Sequence, residues 1–156
     1  MGFEKLLIEA SSLGVLVSEE KIKGNIKGLY SDNVIWLNKQ LKTNAERYSV
    51  LAEELGHHHT TIGDILDQSS ISNKQQENKA RKWAYEKVVP FEKIIAAHKE
   101  NIKNKFEFAE YLEVTESFLQ DALIYYEMKY GETVEYKQYT ICFNPLGVIE
   151  WFKEWL

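Results

Sequence analysis

The sequence predicts an α+β fold, a mostly helical single domain with a small antiparallel sheet. Three observations lead to this prediction. Apolar residues repeat at helical spacing over most of the chain. A short stretch rich in β-branched and aromatic residues surrounds a turn at Asp32. Finally, 156 residues with 44% hydrophobic composition match one domain with its own core, and no repeats or linkers divide residues 1–156.

Charge and composition exclude several classes of protein. The formal net charge of −5 argues against a nucleic-acid backbone or an anionic membrane as the main partner, since both attract clustered lysine and arginine. No stretch approaches the ~20 apolar residues of a membrane span, and charges interrupt the first apolar pattern, so a cytoplasmic protein is expected. Cys142 is the single cysteine, so any metal must rest on histidines and carboxylates.

The first elements are a helix and a hairpin. Apolar residues from Phe3 to Leu13 fall at helical spacing and stop at Gly14, which is typical of a helix end. Residues 22–38 then favour two antiparallel strands, because Ser31-Asp32-Asn33 is a turn between runs of apolar and aromatic residues.

The next helix carries the most informative residues of the chain. Thr43 and Glu46 have the spacing of a capping box, which predicts that a helix begins there. At about 100° per residue, Glu53 and His57 project opposite its apolar face. That face consists of Tyr48, Leu51, Ala52 and Leu55.

The segment Glu53-Glu54-Leu55-Gly56-His57 has the spacing of the metalloprotease pattern His-Glu-x-x-His, with glutamate in place of the first histidine. Side chains four residues apart on a helix can bind one ion, so Glu53 and His57 are predicted metal ligands. Glu54 lies between them, where a general base for water is needed. The alternative register, Glu54 with His58, places Leu55 at the position of the base and is disfavoured. His58 and His59 are expected to have structural or supporting roles.

A catalytic zinc site usually has three protein ligands, so a third is needed. Glu77 is the preferred candidate, because it shares a helix face with Ala80, Ala84 and Val88, and a carboxylate on an apolar face requires a partner. The small alanines would let this helix approach the previous one. Reserve candidates are Asp64, Asp67 and His98. The simpler alternative is an ion pair, of Glu53 with Arg47 or a lysine and of Glu77 with Lys74 or Arg81.

The second half contains a spacing that is typical of a helix-turn-helix. Apolar residues from Ala109 to Leu119 have this spacing, but the predicted second helix begins with Glu116 and carries Asp121, and Glu107 and Glu110 precede it. An acidic face repels phosphates, so the interpretation is a packing motif or a surface for a protein substrate, with no direct nucleic-acid contact.

The sequence of the last part of the chain predicts a strand followed by a helix. Gly131 is expected to end the preceding helix, and residues 134–143 are rich in Val, Tyr, Thr and Ile, which favours a strand. Asn144-Pro145-Leu146-Gly147 is a turn. Apolar residues from Val148 to Trp155 then fall at helical spacing, which predicts a closing helix that docks on the body of the protein.

These residues carry a resemblance to the ImmA/IrrE family of metallopeptidases. The resemblance spans roughly residues 25–90 and rests on Leu51-Ala52-Glu53-Glu54-Leu55-Gly56-His57, followed by Glu77-Asn78-Lys79-Ala80-Arg81-Lys82-Trp83-Ala84 and Val88-Val89-Pro90. Gly28-Leu29-Tyr30 also resembles the family's lead-in to the metal helix. The resemblance implies a small domain with a zincin-like metal helix, in which residues 91–156 form a C-terminal helical and strand part.

The resemblance also implies a function. Members of the family are often encoded by phages or integrative elements beside a helix-turn-helix repressor, and they inactivate that repressor by cleaving it. The family's metal positions fall on Glu53, His57 and Glu77, its general base falls on Glu54, and the implied cofactor is one divalent ion, zinc or alternatively manganese. Glu53 departs from the family's histidine, and a second anionic ligand would weaken the ion as a Lewis acid. The alternative is therefore a protease-like binding module that sequesters the repressor without cleaving it. The sequence does not indicate an oligomeric state.

Overall fold

The computed structural model describes residues 1–60 and 70–151, which lie in two compact units, Met1–Val88 and Val89–Leu156. Helices predominate and are accompanied by two small sheets, which confirms the mostly helical α+β fold. Within the described residues, no helix has the length and apolar character needed to cross a membrane. That residues 1–156 act as a single domain stays a prediction.

The first unit combines three helices with a three-stranded sheet. Its elements in chain order are α1 (Gly2–Ser12), β1 (Leu16–Glu20), β2 (Gly28–Ser31), β3 (Val34–Asn38), α2 (Asn44–Thr60) and α3 (Ser70–Val88). The core is apolar and comes from both the sheet and the helices, with Ile35, Leu37, Leu51 and Leu55 fully buried. The predicted first helix and hairpin are both confirmed.

The hairpin of the first unit has a two-residue turn. Asp32 and Asn33 both have positive φ values, 48° and 65°, as expected of the tight turn whose twist matches that of the flanking strands. The sequence did not predict β1, which pairs in parallel with the other side of β3 and gives the order β1-β3-β2. The first sheet is therefore mixed, whereas an antiparallel one was expected. The side chain of Asn38 donates to the carbonyls of Ile22 and Ile26 and so fixes the loop before β2.

The second unit packs three helices with an antiparallel sheet. Its elements are α4 (Phe91–Lys99), α5 (Lys105–Leu112), α6 (Glu116–Tyr130), β4 (Thr133–Tyr136), β5 (Tyr139–Phe143) and β6 (Leu146–Glu150). The sheet order is β4-β5-β6. Phe91, Tyr126 and Phe143 form an aromatic cluster, and the hydroxyl of Tyr126 donates to the carbonyl of Val89.

Two predictions for the end of the chain are wrong. The single strand predicted over 134–143 is a hairpin, because the chain turns at Lys137, which has a φ of 55°. The closing helix predicted from Val148 is a strand over its first residues, because β6 forms a ladder with β5 and the branched side chains of Val148 and Ile149 suit it. The rest of that predicted helix, residues 152–156, lies outside the described residues.

Candidate metal centre

The helix α2 is fixed by its cap and its buried face. The Thr43 hydroxyl accepts a hydrogen bond from the backbone N–H of Glu46 at 3.1 Å, which confirms the predicted helix start. Leu51, Ala52 and Leu55 are fully buried. Glu53 and His57 therefore lie on the half-exposed side of the helix, as the periodicity predicts.

The helices α2 and α3 cross at very short distance. A Cβ atom added at Gly56 would lie 2.3 Å from the carbonyl oxygen of Ala80, and Ala80 and Ala84 are fully buried. Such an approach is possible only because glycine faces alanine where the helices meet. This confirms the expectation that the alanines of α3 admit close packing, and it brings the neighbouring His57 towards Glu77.

The imidazole of His57 and the carboxylate of Glu77 meet across this crossing. The His57 Nε2 atom lies 3.0 Å from the Glu77 Oε1 atom, and their side chains are 18% and 51% exposed. The expectation that Glu77 is buried on the apolar stripe is therefore wrong, because Glu77 lies one turn before Ala80, at the edge of the helix contact. The side chain within hydrogen-bonding distance of Glu77 is that of His57, whereas the sequence offered Lys74 and Arg81 as alternative partners.

Glu54 lies between α2 and the strand β2. Two residues along a strand cover ~6.7 Å, and four residues along a helix cover ~6 Å. Because these distances are similar, alternate residues of β2 can face successive turns of α2. In this arrangement Gly28 faces Glu54, and a Cβ atom at Gly28 would lie 3.3 Å from the Glu54 Oε2 atom. Burial, followed by the negative charges of Glu77 and Glu53, raises the pKa of the Glu54 carboxyl to about 8.

The remaining histidines of α2 have structural contacts. His58 Nδ1 lies 2.8 Å from the hydroxyl of Tyr30, the next residue of β2 on the side facing α2. His59 stacks on Trp83 with ring centroids 4.5 Å apart, and burial lowers the pKa of its imidazole. The stacking on Trp83 fits the structural role expected of His59, and a supporting role of His58 at a metal site stays a prediction.

The structure brings together some of the predicted ligands. His57 and Glu77 meet at 3.0 Å, and the predicted base Glu54 is near enough to Glu77 for the charge of Glu77 to raise its pKa. Among residues 1–60 and 70–151, no three histidine, cysteine or acidic side chains are close enough to hold an ion. Asp64 and Asp67 lie outside the described residues, and His98 lies on α4 in the second unit.

Sequence reasoning missed the structural roles of three residues of this centre. Gly28 admits the Glu54 side chain beneath β2, Tyr30 bonds to His58, and Gly56 admits α3. A glycine inside a helical pattern and another at a strand start were signals of close approach. Neither glycine, however, indicates from the sequence which helix or strand packs against it.

The raised pKa of Glu54 predicts how stability depends on pH in the metal-free protein. Between about pH 4.5 and pH 8 the folded chain holds a proton on Glu54 that the unfolded chain releases, so stability should fall as pH rises through this window and then level off. We expect a loss of about 2 kcal/mol, less than the full shift implies because solvent reaches the carboxyl. Urea unfolding in chelator at several pH values measures this loss, which Glu54→Gln should abolish. A parallel pH profile in that variant would contradict the prediction.

The chain is similar to known proteins in sequence and in fold. The family model described as the IrrE N-terminal-like domain, of the M78 peptidases, matches residues 10–123. The chain is also similar to a solved structure described as a Mycobacterium tuberculosis transcriptional regulator, with a TM-score of 0.57 and 14% identity over 79% of this chain. The chain spans 41% of the length of that regulator, so the similarity concerns the fold. None of the curated proteins compared with the chain matches it.

Proposed function

Because the chain belongs to the IrrE N-terminal-like family of M78 peptidases, we propose that it is a metal-dependent endopeptidase that cleaves a regulatory DNA-binding protein. The family is of the protease type. The observation that carries the proposal is the meeting of His57 with Glu77 at 3.0 Å beside the partly buried Glu54. A helix-turn-helix repressor of a phage or mobile element is the substrate class that the family resemblance favours.

Two of the three proposed ligands suit a divalent ion as they stand. Imidazole nitrogen and carboxylate oxygen both bind zinc, and two such ligands on one tetrahedral ion are separated by roughly 3.3 Å, close to the 3.0 Å between His57 and Glu77. We propose Glu53, one helical turn before His57, as the third ligand. When bound, the ion would polarise a water molecule for attack on a peptide carbonyl.

Glu54 has the position of a proton carrier. A carboxylate oxygen of Glu54 would take a proton from the attacking water and return it to the amine nitrogen of the leaving peptide. In the metal-free chain the carboxyl holds its proton at neutral pH, since its pKa is about 8. A positive charge near Glu77 and His57 would lower the pKa of Glu54. The carboxyl would then be ionised near neutral pH and could accept a proton.

The strand β2 offers a place for the substrate backbone. Within the described part of the chain, β2 pairs with β3 alone and so has a free edge. Ser31 and Val34 flank the two-residue turn and are paired with each other. Along an antiparallel ladder, residues that hydrogen-bond to the partner strand alternate with residues that do not. The N–H and C=O groups of Gly28 and Tyr30 therefore point away from β3, to this free edge. An extended peptide added there would pass beside Glu54, which faces Gly28.

A binding module without proteolysis is the second candidate. The observation that favours it is the crowding of carboxyl groups, because Glu53 and Glu77 both raise the pKa of Glu54. Two anionic ligands would leave less positive charge on the ion to activate water. In this alternative the protein would sequester the repressor intact.

The proposed function is tested by incubating the purified protein with a purified helix-turn-helix repressor, with and without chelator. We expect fragments of defined mass that disappear on chelation and return when zinc or manganese is added. Mass spectrometry of the fragments identifies the bond that is cut. Intact repressor under every metal condition would exclude the peptidase and leave the binding module.

Metal content gives an independent measurement of the site. Elemental analysis is expected to find about one divalent ion per chain, and His57→Ala should lose most of it, because removing the imidazole leaves carboxylates alone. His98→Ala on α4 is the matched control and should keep its metal. Unchanged occupancy in His57→Ala would remove His57 from the site.

Glu53→His tests whether the carboxylate at this position limits the rate. A neutral imidazole would leave more of the ion's positive charge available to water, so hydrolysis is expected to rise about tenfold, which corresponds to ~1.4 kcal/mol. Initial rates measured at saturating zinc give the comparison. A rate at or below that of the wild type would show that Glu53 does not limit the chemistry.

A further inference from the structure

The charge of the chain is unevenly distributed. Residues 1–88 carry 12 basic and 12 acidic side chains, so the net charge of −5 belongs to residues 89–156. Within the second unit, the helices α5 and α6 and the turn between them carry a run of acidic residues. These are Glu107, Glu110, Glu113, Glu116, Asp121 and Glu127. Such asymmetry indicates a basic partner for the second unit.

The helix α6 presents an exposed stripe that is partly apolar. The stripe consists of Ser117, Asp121, Ile124 and Met128, which follow one another at i, i+4, i+7 and i+11 and span about 16 Å. Ile124 is 45% exposed and Met128 is 83% exposed. The opposite face of α6 is buried and holds Phe118, Leu119, Ala122, Leu123 and Tyr126. The α6 stripe therefore has no part in the core that the helix helps to build.

The connection between α5 and α6 resembles that of a helix-turn-helix. Glu113 ends α5 in the left-handed conformation, and Thr115 caps α6 by accepting a hydrogen bond from the N–H of Phe118. In DNA-binding proteins with this arrangement, the start of the second helix faces the nucleic acid. Here that position carries Glu116 and Asp121, which repel phosphates.

We propose that the α6 stripe docks the basic, DNA-reading surface of a helix-turn-helix regulatory protein. This inference rests on the proposed function for the class of target protein. The surface that a repressor presents to DNA carries lysine and arginine, so Asp121 of the stripe and the neighbouring Glu116 at the start of α6 complement its charge. Ile124 and Met128 supply an apolar contact, and methionine adapts its shape readily to a partner. Since the same repressor surface would contact either α6 or DNA, the two complexes exclude each other.

The test measures binding of a purified helix-turn-helix DNA-binding domain to the full chain carrying Glu54→Gln, so that cleavage does not interfere. Asp121→Lys and Met128→Ser change the α6 stripe. Glu135→Lys on β4 and Ile149→Ser on β6 are matched controls, because they make comparable changes at exposed positions elsewhere in the same unit. Affinities are measured by calorimetry at low and moderate salt.

Each stripe variant is expected to bind at least about tenfold more weakly than the parent, and each control within about twofold. Operator DNA should displace the domain, and raising the salt concentration should weaken the complex. Absence of binding by the parent, equal binding by the stripe variants, or a ternary complex with operator DNA would each overturn the inference. The proposed peptidase function is tested separately, with the chain that keeps Glu54. Absence of cleavage by that chain would contradict the peptidase function and leave the docking inference to the binding measurements.

Discussion

Glu54→Gln is expected to slow hydrolysis of the repressor by about a hundredfold to ten-thousandfold, the range typical for loss of a positioned general base. The amide of glutamine cannot accept the proton of the attacking water. Its size matches that of the carboxyl group, so the packing against Gly28 is kept. The change also removes the cost of ionising a partly buried carboxyl, so the variant should be at least as stable as the wild type at neutral pH.

The loss must be shown to arise from the chemical step. Metal content of Glu54→Gln should equal that of the wild type, because Glu54 is not a proposed ligand, and the affinity for the repressor should also be unchanged. Glu132→Gln, at an exposed position after α6, is the matched control and should cleave at the wild-type rate. Normal cleavage by Glu54→Gln would remove Glu54 as the base. Full derepression by that variant without cleavage would favour the binding module.

Gly56→Ala is expected to lower the free energy of unfolding by about 3 kcal/mol. Two effects oppose each other at this position. Alanine has the higher helix propensity, worth about 1 kcal/mol over glycine. The added Cβ atom, however, would lie 2.3 Å from the Ala80 carbonyl oxygen and 2.9 Å from the Ala80 Cα atom, which is backbone and cannot rotate away. The helices must therefore separate, and the steric cost exceeds the gain in propensity.

This separation should also affect the site. Moving α3 away from α2 lengthens the distance between His57 and Glu77, so Gly56→Ala is expected to bind metal more weakly than the wild type. Urea unfolding and metal titration measure the two effects. Gly147→Ala is the matched control, because a Cβ atom at Gly147 meets nothing within 4 Å. A Gly56→Ala variant as stable as the wild type would contradict the close crossing of the two helices.

The sequence predicted the elements around the site well, because their signals are local. The capping box at Thr43, the apolar face of α2 and the turn at Asp32 each act within a few residues, and all three are confirmed. Predictions failed where a partner strand far along the chain decides the structure. Val148 and Ile149 suit either a helix or a strand by spacing alone, and pairing with β5 selects the strand.

The chemical identity of the candidate site was also accessible from the sequence, but its geometry was not. The pattern Glu53-Glu54-x-x-His57 with Glu77 on the next helix indicated the family, which the match over residues 10–123 confirms. That these side chains hold a metal stays a prediction. Spacing along α2 placed Glu53 and His57 on one side, but it could not show that Glu77 is half-exposed and bonded to His57.

The sequence by itself determined which groups are available, since residue identity and helical period fix the chemistry of each face and the direction in which it points. Only the tertiary structure decided how these faces meet. Gly56 brings α3 against α2, and Gly28 brings β2 over Glu54, which is why that carboxyl is partly buried and its pKa raised. The physical reason is that burial and distance between elements depend on which surfaces pack, and a local sequence pattern carries no information about the partner surface.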